Sequence, residues 1–357
     1  MNDILLLLVA LVVILLGAEL FTNGIEWFGR KLDLAEGAVG SVLAAVGTAL
    51  PETMIPIVAI LFSGAAAGSA AAGHANEVGV GAILGAPFML ATLAMFVTGA
   101  AVMYAGRRRA TGDQMLVDTA VLGKDVRYFF VTYGIAVGAA FLPQQFAIGK
   151  LAAGVLLIVL YGLYVKAHFE ADPTVDMEDL APLRFHRLDR RARRELPAEP
   201  RLRVINLQVL AALACIIVGA VVFVDAVEHL STSLGVAPAI LALVVAPIAT
   251  ELPEKFNSLL WVRQGKDTLA MGNITGAMVF QSCIPTFVAL VFAADSWSVT
   301  RDSLVTFASA GIAFVATALI FVPMMRRGRL NGRTLLIGGV LYLLYLGLVA
   351  ASVAGLI

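Results

Sequence analysis

The sequence predicts an all-α integral membrane protein, and three observations support that fold class. The 357 residues are 60% hydrophobic and only 14% charged, whereas soluble domains carry about 25% charged residues. Apolar stretches of the roughly 20 residues that a membrane-spanning helix needs recur along the chain. The short alternating segments of a membrane β-barrel are absent from the sequence. A lipid bilayer is therefore expected to surround most of the polypeptide.

The apolar stretches predict about ten membrane-spanning helices, at residues 3–26, 35–62, 77–105, 126–142, 150–168, 205–228, 236–262, 268–293, 303–325 and 334–356. With the N-terminus outside, all but three of the 25 Lys and Arg residues fall on the inner side; Lys150 and Arg301 lie outside, and Lys255 lies within a span. Such a bias marks the cytoplasmic side. We therefore expect a multi-pass protein in the inner, or plasma, membrane of a prokaryote-type cell, with both termini outside.

One polar segment, residues 167–204, divides the chain into two halves. It is too short to hold a hydrophobic core of its own, so it is predicted to be a cytoplasmic linker. The first half, 1–166, and the second half, 205–357, each contain five predicted spans. The formal net charge is zero. Because membrane topology accounts for the basic residues, nucleic acid is not an expected partner.

The two halves carry related helices. At an offset of 202 positions the sequence aligns Gly17 with Gly219, Thr48 with Thr250, Pro51 with Pro253 and Glu52 with Glu254, and at an offset of 191 it aligns Gly81 with Gly272 and Gly85 with Gly276. Because each half has an odd number of spans, the second half must enter the membrane in the opposite sense. Inverted repeats with broken helices that meet at mid-membrane are typical of secondary transporters.

Each half places a carboxylate near the middle of an apolar helix, at Glu52 and at Glu254. An unpaired charge at that depth costs several kcal/mol, so both groups need compensation. Two carboxylates brought together at the repeat interface could clamp one metal cation. The sequence therefore predicts a cation site, most readily for Ca²⁺, between Glu52 and Glu254.

Further oxygen ligands are expected beside each carboxylate. The motif prolines have no N–H, which leaves the backbone carbonyls of Gly47 and Ala249 without their helical hydrogen bonds. The hydroxyls of Thr48 and Thr250 lie on the same helical turns. Carboxylate, carbonyl and hydroxyl oxygens are the ligands that hard cations prefer.

The aligned glycines have a different expected role. Gly81 and Gly85 in the first half, and Gly272 and Gly276 in the second, are spaced as small residues are where two membrane helices cross closely. Helix packing is therefore predicted for all four glycines in preference to direct ion binding.

These motifs resemble those of the cation/Ca²⁺ exchanger superfamily, which contains sodium/calcium and proton/calcium antiporters. The run GTALPE at 47–52 and the run ATELPE at 249–254 are similar to the two repeat cores of that family. The flanking runs GAELF at 17–21 and RQGKDTLAMGNITG at 263–276 are similar as well. The resemblance implies a ten-helix fold that exchanges Ca²⁺ for Na⁺ or H⁺ by alternating access, with the two motif glutamates as paired ligands.

The chain also departs from the family pattern. A hydroxyl residue usually follows each motif threonine, but Ala49 and Glu251 stand there. The family has a hydroxyl residue after the second glycine and an Asn or Asp four residues later; this chain has Ala86 and Leu90 there in one half, and Ala277 and Gln281 in the other. Gln281 and Glu251 are therefore candidate ligands, and several expected oxygens are missing.

Lys255 adds a cation beside the second motif. It lies four residues after Glu251, so the two side chains could pair on one helix face. Together with Glu52 and Glu254 this gives a net charge of −2, which balances one divalent cation. A Glu251–Lys255 pair that titrates during transport is the other interpretation, and it would couple the exchange to protons.

Other functional classes are less consistent with the sequence. An enzyme is not expected, because no His-Glu-x-x-His motif or comparable catalytic constellation is present. A channel is disfavoured, since inverted repeats with broken helices are typical of alternating access. Two alternatives stay open: an exchanger-fold protein with altered ion selectivity, proton-coupled or specific for another cation, and a non-transporting membrane scaffold or sensor. No cofactor is expected beyond the transported cation.

Overall fold

The computed structural model describes residues 2–31, 44–62, 69–106, 109, 111–143, 146–169, 181–188, 200–263 and 265–356. Its helices are α1 Asn2–Lys31, α2 Ala44–Leu61, α3 Ala70–Met89, α4 Met95–Ala105, α5 Thr119–Ala139, α6 Ala147–Phe169, α7 Leu202–Leu234, α8 Pro238–Arg263, α9 Asp267–Phe292, α10 Leu304–Arg327, α11 Gly332–Leu335 and α12 Ile337–Val353. A π-helical turn, Leu90–Ala94, joins α3 to α4, and a 3₁₀ turn covers Arg184–Leu188. Strand β1, Gln114–Met115, pairs antiparallel with β2, Leu330–Asn331.

The all-α membrane fold is confirmed. Each predicted span overlaps one or more of these helices. Among the described residues, seven helical stretches are long and apolar enough to cross a membrane: Asp3–Lys31, Ala72–Ala105, Ala147–His168, Leu202–Leu234, Asp267–Phe292, Leu304–Arg327 and Gly332–Val353. The number of ten spans stays a prediction, as do the two boundaries between residues 166 and 167 and between residues 204 and 205.

Helix α5 begins earlier than the predicted span, which starts at residue 126. Asp118 is its N-cap, and the carboxylate accepts hydrogen bonds from the backbone N–H groups of Ala120, at 2.8 Å, and Val121, at 3.2 Å. An aspartate at this position satisfies N–H groups that would otherwise have no partner. As a result Lys124 and Asp125 lie inside the helix and not in the loop before it.

Helices α1 and α7 pack along each other through reciprocal glycine contacts. A Cβ atom added to Gly17 would lie 2.8 Å from Cγ1 of Ile216, and one added to Gly219 would lie 2.8 Å from Cγ1 of Ile14. Residue numbers rise along one helix as they fall along the other, so the two helices are antiparallel. Ile14 and Ile216 are also related by the offset of 202. A two-fold axis across the helices produces this reciprocity; inversion of the complete halves stays a prediction.

The motif helices pack crosswise. Helix α2, which carries the first motif, contacts α9, and helix α8, which carries the second motif, contacts α3. Each motif helix therefore lies against the helix that follows the other motif. Both α2 and α8 remain helical on either side of the motif proline, so neither proline divides its helix into two separate helices.

Part of the predicted linker folds back onto the first helix of each half. The indole N–H of Trp27 donates to the carbonyl of Ala181 at 2.9 Å, and the backbone N–H of Arg184 donates to Oδ1 of Asn23 at 3.0 Å. From α7, Oε1 of Gln208 accepts the backbone N–H of Phe185 at 2.8 Å. The described linker residues thus bridge α1 and α7 at one end of the molecule.

Candidate cation site

The carboxylate of Glu52 lies inside the helix bundle. Its side chain is only 5% exposed, and Thr53 beside it is also buried. One turn further along α2, Ile55 is fully buried, so this face of the helix points into the protein and away from lipid. The helical position of Glu52 is consistent with the apolar run around it, because in lipid such a run satisfies its backbone polar groups as a helix.

The hydroxyl of Thr250 is buried in α8 and donates to the carbonyl of Ala246 at 3.0 Å. Because the hydroxyl proton is directed to that carbonyl, the lone pairs of Oγ1 are available for a cation. The backbone of α8 continues as a helix through the whole second motif.

Several predicted ligands have side chains outside the described part of the structure. These are Thr48 in α2 and Glu251, Glu254 and Lys255 in α8. The carbonyl candidates Gly47 and Ala249 lie on the described helical backbone. The opposition of Glu52 and Glu254 across the repeat interface, and any pairing of Lys255, therefore stay predictions.

Gln281 is buried in α9, the helix that packs against the first motif helix. Its neighbours in sequence, Phe280, Ser282 and Cys283, are buried as well. A buried amide needs hydrogen-bonding or ion partners. The burial of Gln281 is therefore consistent with a role as a cation ligand. Its counterpart Leu90 is fully buried and begins the π-helical turn.

Gly81 and Gly85 lie where α3 crosses α8. A Cβ atom on Gly81 would overlap the backbone carbonyl of Ala239, and one on Gly85 would overlap the carbonyl of Leu243. Since no larger residue fits, the two glycines allow backbone-to-backbone contact between α3 and the second motif helix.

The surroundings of Gly272 and Gly276 are less crowded than those of Gly81 and Gly85. Among the described atoms, none would lie within 4 Å of a Cβ on Gly272, and a Cβ on Gly276 would lie 3.3 Å from the hydroxyl of Tyr164. The repeat offset relates Ala239 and Leu243 to residues 37 and 41, which lie outside the described residues. Close packing at Gly272 and Gly276 against that segment stays a prediction.

Asp125 and Asp267 are buried carboxylates of the described residues that are not part of the predicted site. Asp125 in α5 is 1% exposed. Asp267, at the start of α9, forms a buried ion pair with Arg109, whose Nη2 lies 2.5 Å from Oδ2. A carboxylate in an apolar helix is the signal that identified Glu52, and it would have identified Asp125 if the predicted span had started at Asp118.

A multi-pass all-α protein with a buried carboxylate on a membrane helix is typical of an ion transporter. The chain matches the family described as sodium/calcium exchanger protein over residues 2–169 and 205–354. It therefore belongs to the sodium/calcium exchanger family of membrane cation antiporters.

Two curated relatives extend over most of the chain. The candidate antiporter CaxA of Alkalimonas amylolytica is 25% identical over 346 residues, which cover 95% of this chain and 97% of that protein. The inner membrane protein YrbG of Escherichia coli is 24% identical over 284 residues, which cover 78% of this chain and 76% of YrbG.

Solved structures show the same fold. The crystal structure of the H⁺/Ca²⁺ exchanger CAX matches 96% of this chain and 80% of its own, with a TM-score of 0.69 and 13% identity. The sodium-calcium exchanger NCX_Mj matches 97% of both chains, with a TM-score of 0.55 and 15% identity. At these identities the likeness concerns the fold alone.

Proposed function

We propose that the protein is a secondary active antiporter that exchanges Ca²⁺ for Na⁺ or H⁺ by alternating access. The observation on which the proposal rests is the burial of Glu52 in an apolar helix that packs against α9. A carboxylate held away from water needs a cation or a proton to balance its charge. Transported cations that alternate at this position would provide that balance.

The oxygen chemistry near both motifs supports Ca²⁺ as the cargo. Thr250 keeps lone pairs for a ligand, and Glu52 and Glu254 contribute anionic oxygens in the proposed site. Ca²⁺ accepts six to eight oxygen ligands in irregular geometry, which suits a site built from two unequal helices. Within this proposal Gln281 and Glu251 complete the ligand set, and Lys255 balances charge or takes part in proton coupling.

The membrane orientation is part of the proposal. The distribution of Lys and Arg places the 167–204 segment in the cytoplasm and both termini outside a prokaryote-type plasma membrane. The lipid bilayer and inorganic cations would then be the partners of the chain.

Reconstituted vesicles test the proposal directly. With an imposed Na⁺ or H⁺ gradient, the wild-type protein should accumulate Ca²⁺. Glu52→Gln should lower the rate at least about tenfold, because it removes the anionic oxygens that stabilise the bound cation; a tenfold loss corresponds to about 1.4 kcal/mol. Glu19→Gln is the matched control, since Glu19 is exposed and pairs with Arg184 at 2.6 Å. Equal rates for Glu52→Gln and wild type would contradict the proposal.

One observation favours a second candidate, a protein of this fold that does not transport. Leu90 is buried where the family pattern has a polar ligand, so one half offers fewer oxygens than the other. In that case both gradients would fail to drive Ca²⁺ or any other cation, although the folded protein would be intact. Transport of a different cation in the same vesicles would instead indicate altered selectivity.

A further inference from the structure

Asp125 lies in a buried hydrogen-bond network outside the proposed cation site. Its Oδ1 accepts the hydroxyl of Tyr164 at 3.1 Å and lies 3.0 Å from Nε2 of His168. Its Oδ2 accepts the hydroxyl of Thr275 at 2.6 Å. The carboxylate therefore joins three helices, α5, α6 and α9.

The histidine in this network has an acceptor oxygen at each ring nitrogen. Nε2 faces the carboxylate of Asp125, and Nδ1 lies 3.2 Å from the backbone carbonyl of Tyr164. A neutral imidazole has only one N–H, so it could satisfy only one of these two acceptors. Both contacts are satisfied together only if His168 and Asp125 share one additional proton.

The two basic side chains near Asp125 on its own helix are directed elsewhere. Lys124 precedes Asp125, but its ammonium group donates to the carbonyl of Ala167 at 3.1 Å. Arg127 is exposed on another face of α5. The remaining titratable groups on these three helices are Tyr128 and Tyr133 on α5, Lys150, Tyr161 and Lys166 on α6, and Asp267 and Cys283 on α9. Within the described residues, His168 is the ion-pair partner of Asp125.

The site also has a route to solvent. The His168 side chain is 31% exposed while Asp125 is buried, so a proton can reach the carboxylate through the imidazole. His168 lies at the end of α6 that leads into the 167–204 segment. The pair is thus open to the solution on the side of that segment.

We infer that His168 and Asp125 form a proton-binding site that positions α9 and thereby makes transport depend on the pH at the linker side. The link to α9 is Thr275, which precedes Gly276, and Tyr164 lies against that glycine. Loss of the shared proton leaves His168 with one N–H for two acceptors, so either its contact with Asp125 on α5 or its contact with the carbonyl of Tyr164 is lost. Because α9 also carries Gln281, its position affects the proposed cation site; this part rests on the proposed function.

A transport-independent measurement tests the bound proton. In the full-length protein in detergent, ¹⁵N NMR of His168 near neutral pH should show a ring with both nitrogens protonated. In Asp125→Asn the ring should become a neutral tautomer, since the carboxylate that holds the proton is gone. A neutral His168 ring in the wild type would overturn the inference even if Ca²⁺ transport is observed.

The positioning role is tested by the pH profile of Ca²⁺ transport between about pH 5 and pH 8, where histidine titrates. His168→Gln keeps a donor for Asp125 but cannot gain a proton, so its profile should flatten while the maximal rate changes little. His229→Gln is the control, because it removes an exposed pair with Asp225 at 3.7 Å. Superimposable profiles for His168→Gln and wild type would exclude the role in transport, whereas absence of transport in every variant would contradict the proposed function instead.

Discussion

The helix that follows the first motif and the helix that follows the second differ in where their polar groups lie. After the first glycine pair the positions are apolar, Ala86 in α3 and Leu90 in the π-helical turn that follows it, and both are buried. In α9 the corresponding stretch contains Gln281, and Thr275 is bonded to Asp125. Related sequences have therefore kept a similar helix pair, while among the described residues α9 carries buried polar side chains and α3 does not.

The same contrast holds at the starts of these helices. Helix α9 begins at Asp267, which is fixed by Arg109 and by the backbone N–H of Leu116 at 2.8 Å. The position of α3 that aligns with Asp267 is Asn76, and it is half-buried. One downstream helix is thus anchored by a buried charge pair and the other by close backbone contact. The two helices that follow the motifs are therefore held at their starts by different kinds of contact.

The largest expected effect comes from breaking the charge pair. Asp267→Asn leaves Arg109 buried without a counter-charge, which should cost about 3–5 kcal/mol of unfolding free energy. Asn76→Ala, at the aligned position of the other half, should change stability by no more than about 0.5 kcal/mol. Denaturation of the purified protein in detergent measures both. Equal losses would show that the two helix starts are anchored alike.

A smaller loss is expected at the helix crossing. Gly81→Ala places a Cβ against the carbonyl of Ala239 and should lower stability by about 1–3 kcal/mol. Gly311→Ala is the control, because among the described atoms none would lie within 4 Å of its Cβ. The cost of Gly272→Ala then measures how tight the second crossing is. A cost for Gly81→Ala no larger than that for Gly311→Ala would contradict the close contact of α3 with α8.

The smallest effect is expected on cation affinity. Gln281→Leu makes α9 resemble α3 at this position and removes one proposed ligand worth about 1.4 kcal/mol, which should raise the Ca²⁺ concentration for half-maximal transport about tenfold. Ser282→Ala is the control, since its hydroxyl donates to the carbonyl of Met278 within the same helix. An unchanged affinity in Gln281→Leu would remove Gln281 from the ligand set.

Much of the fold could be predicted from the sequence because lipid allows few alternatives. Long apolar runs must be helices, and the carboxylate of Glu52 had to be buried in the bundle because lipid cannot stabilise it. The start of α5 was predicted too late, since Lys124 and Asp125 made the first turns look like a loop. Only the contacts with α6 and α9 explain how those charges are accommodated in a helix.

Other features depend on tertiary contacts that have no local signal. The π-helical turn at Leu90–Ala94 packs against Gly338 of α12, where a Cβ would overlap the carbonyl of Thr92. The docking of Ala181 and Arg184 onto α1 requires polar groups more than 150 positions away in the chain. Sequence periodicity reports which face of a helix is apolar, but it does not report which distant group will meet it.

The reciprocal contact between α1 and α7 has a consequence for how such a molecule can arise. Gly17 and Ile14 form one half of the contact, and their counterparts Gly219 and Ile216 form the other. A surface of this kind is complementary to an antiparallel copy of itself. A single ancestral half would already have possessed the means to form an antiparallel, two-fold symmetric dimer, and joining two copies in one chain would have preserved that association.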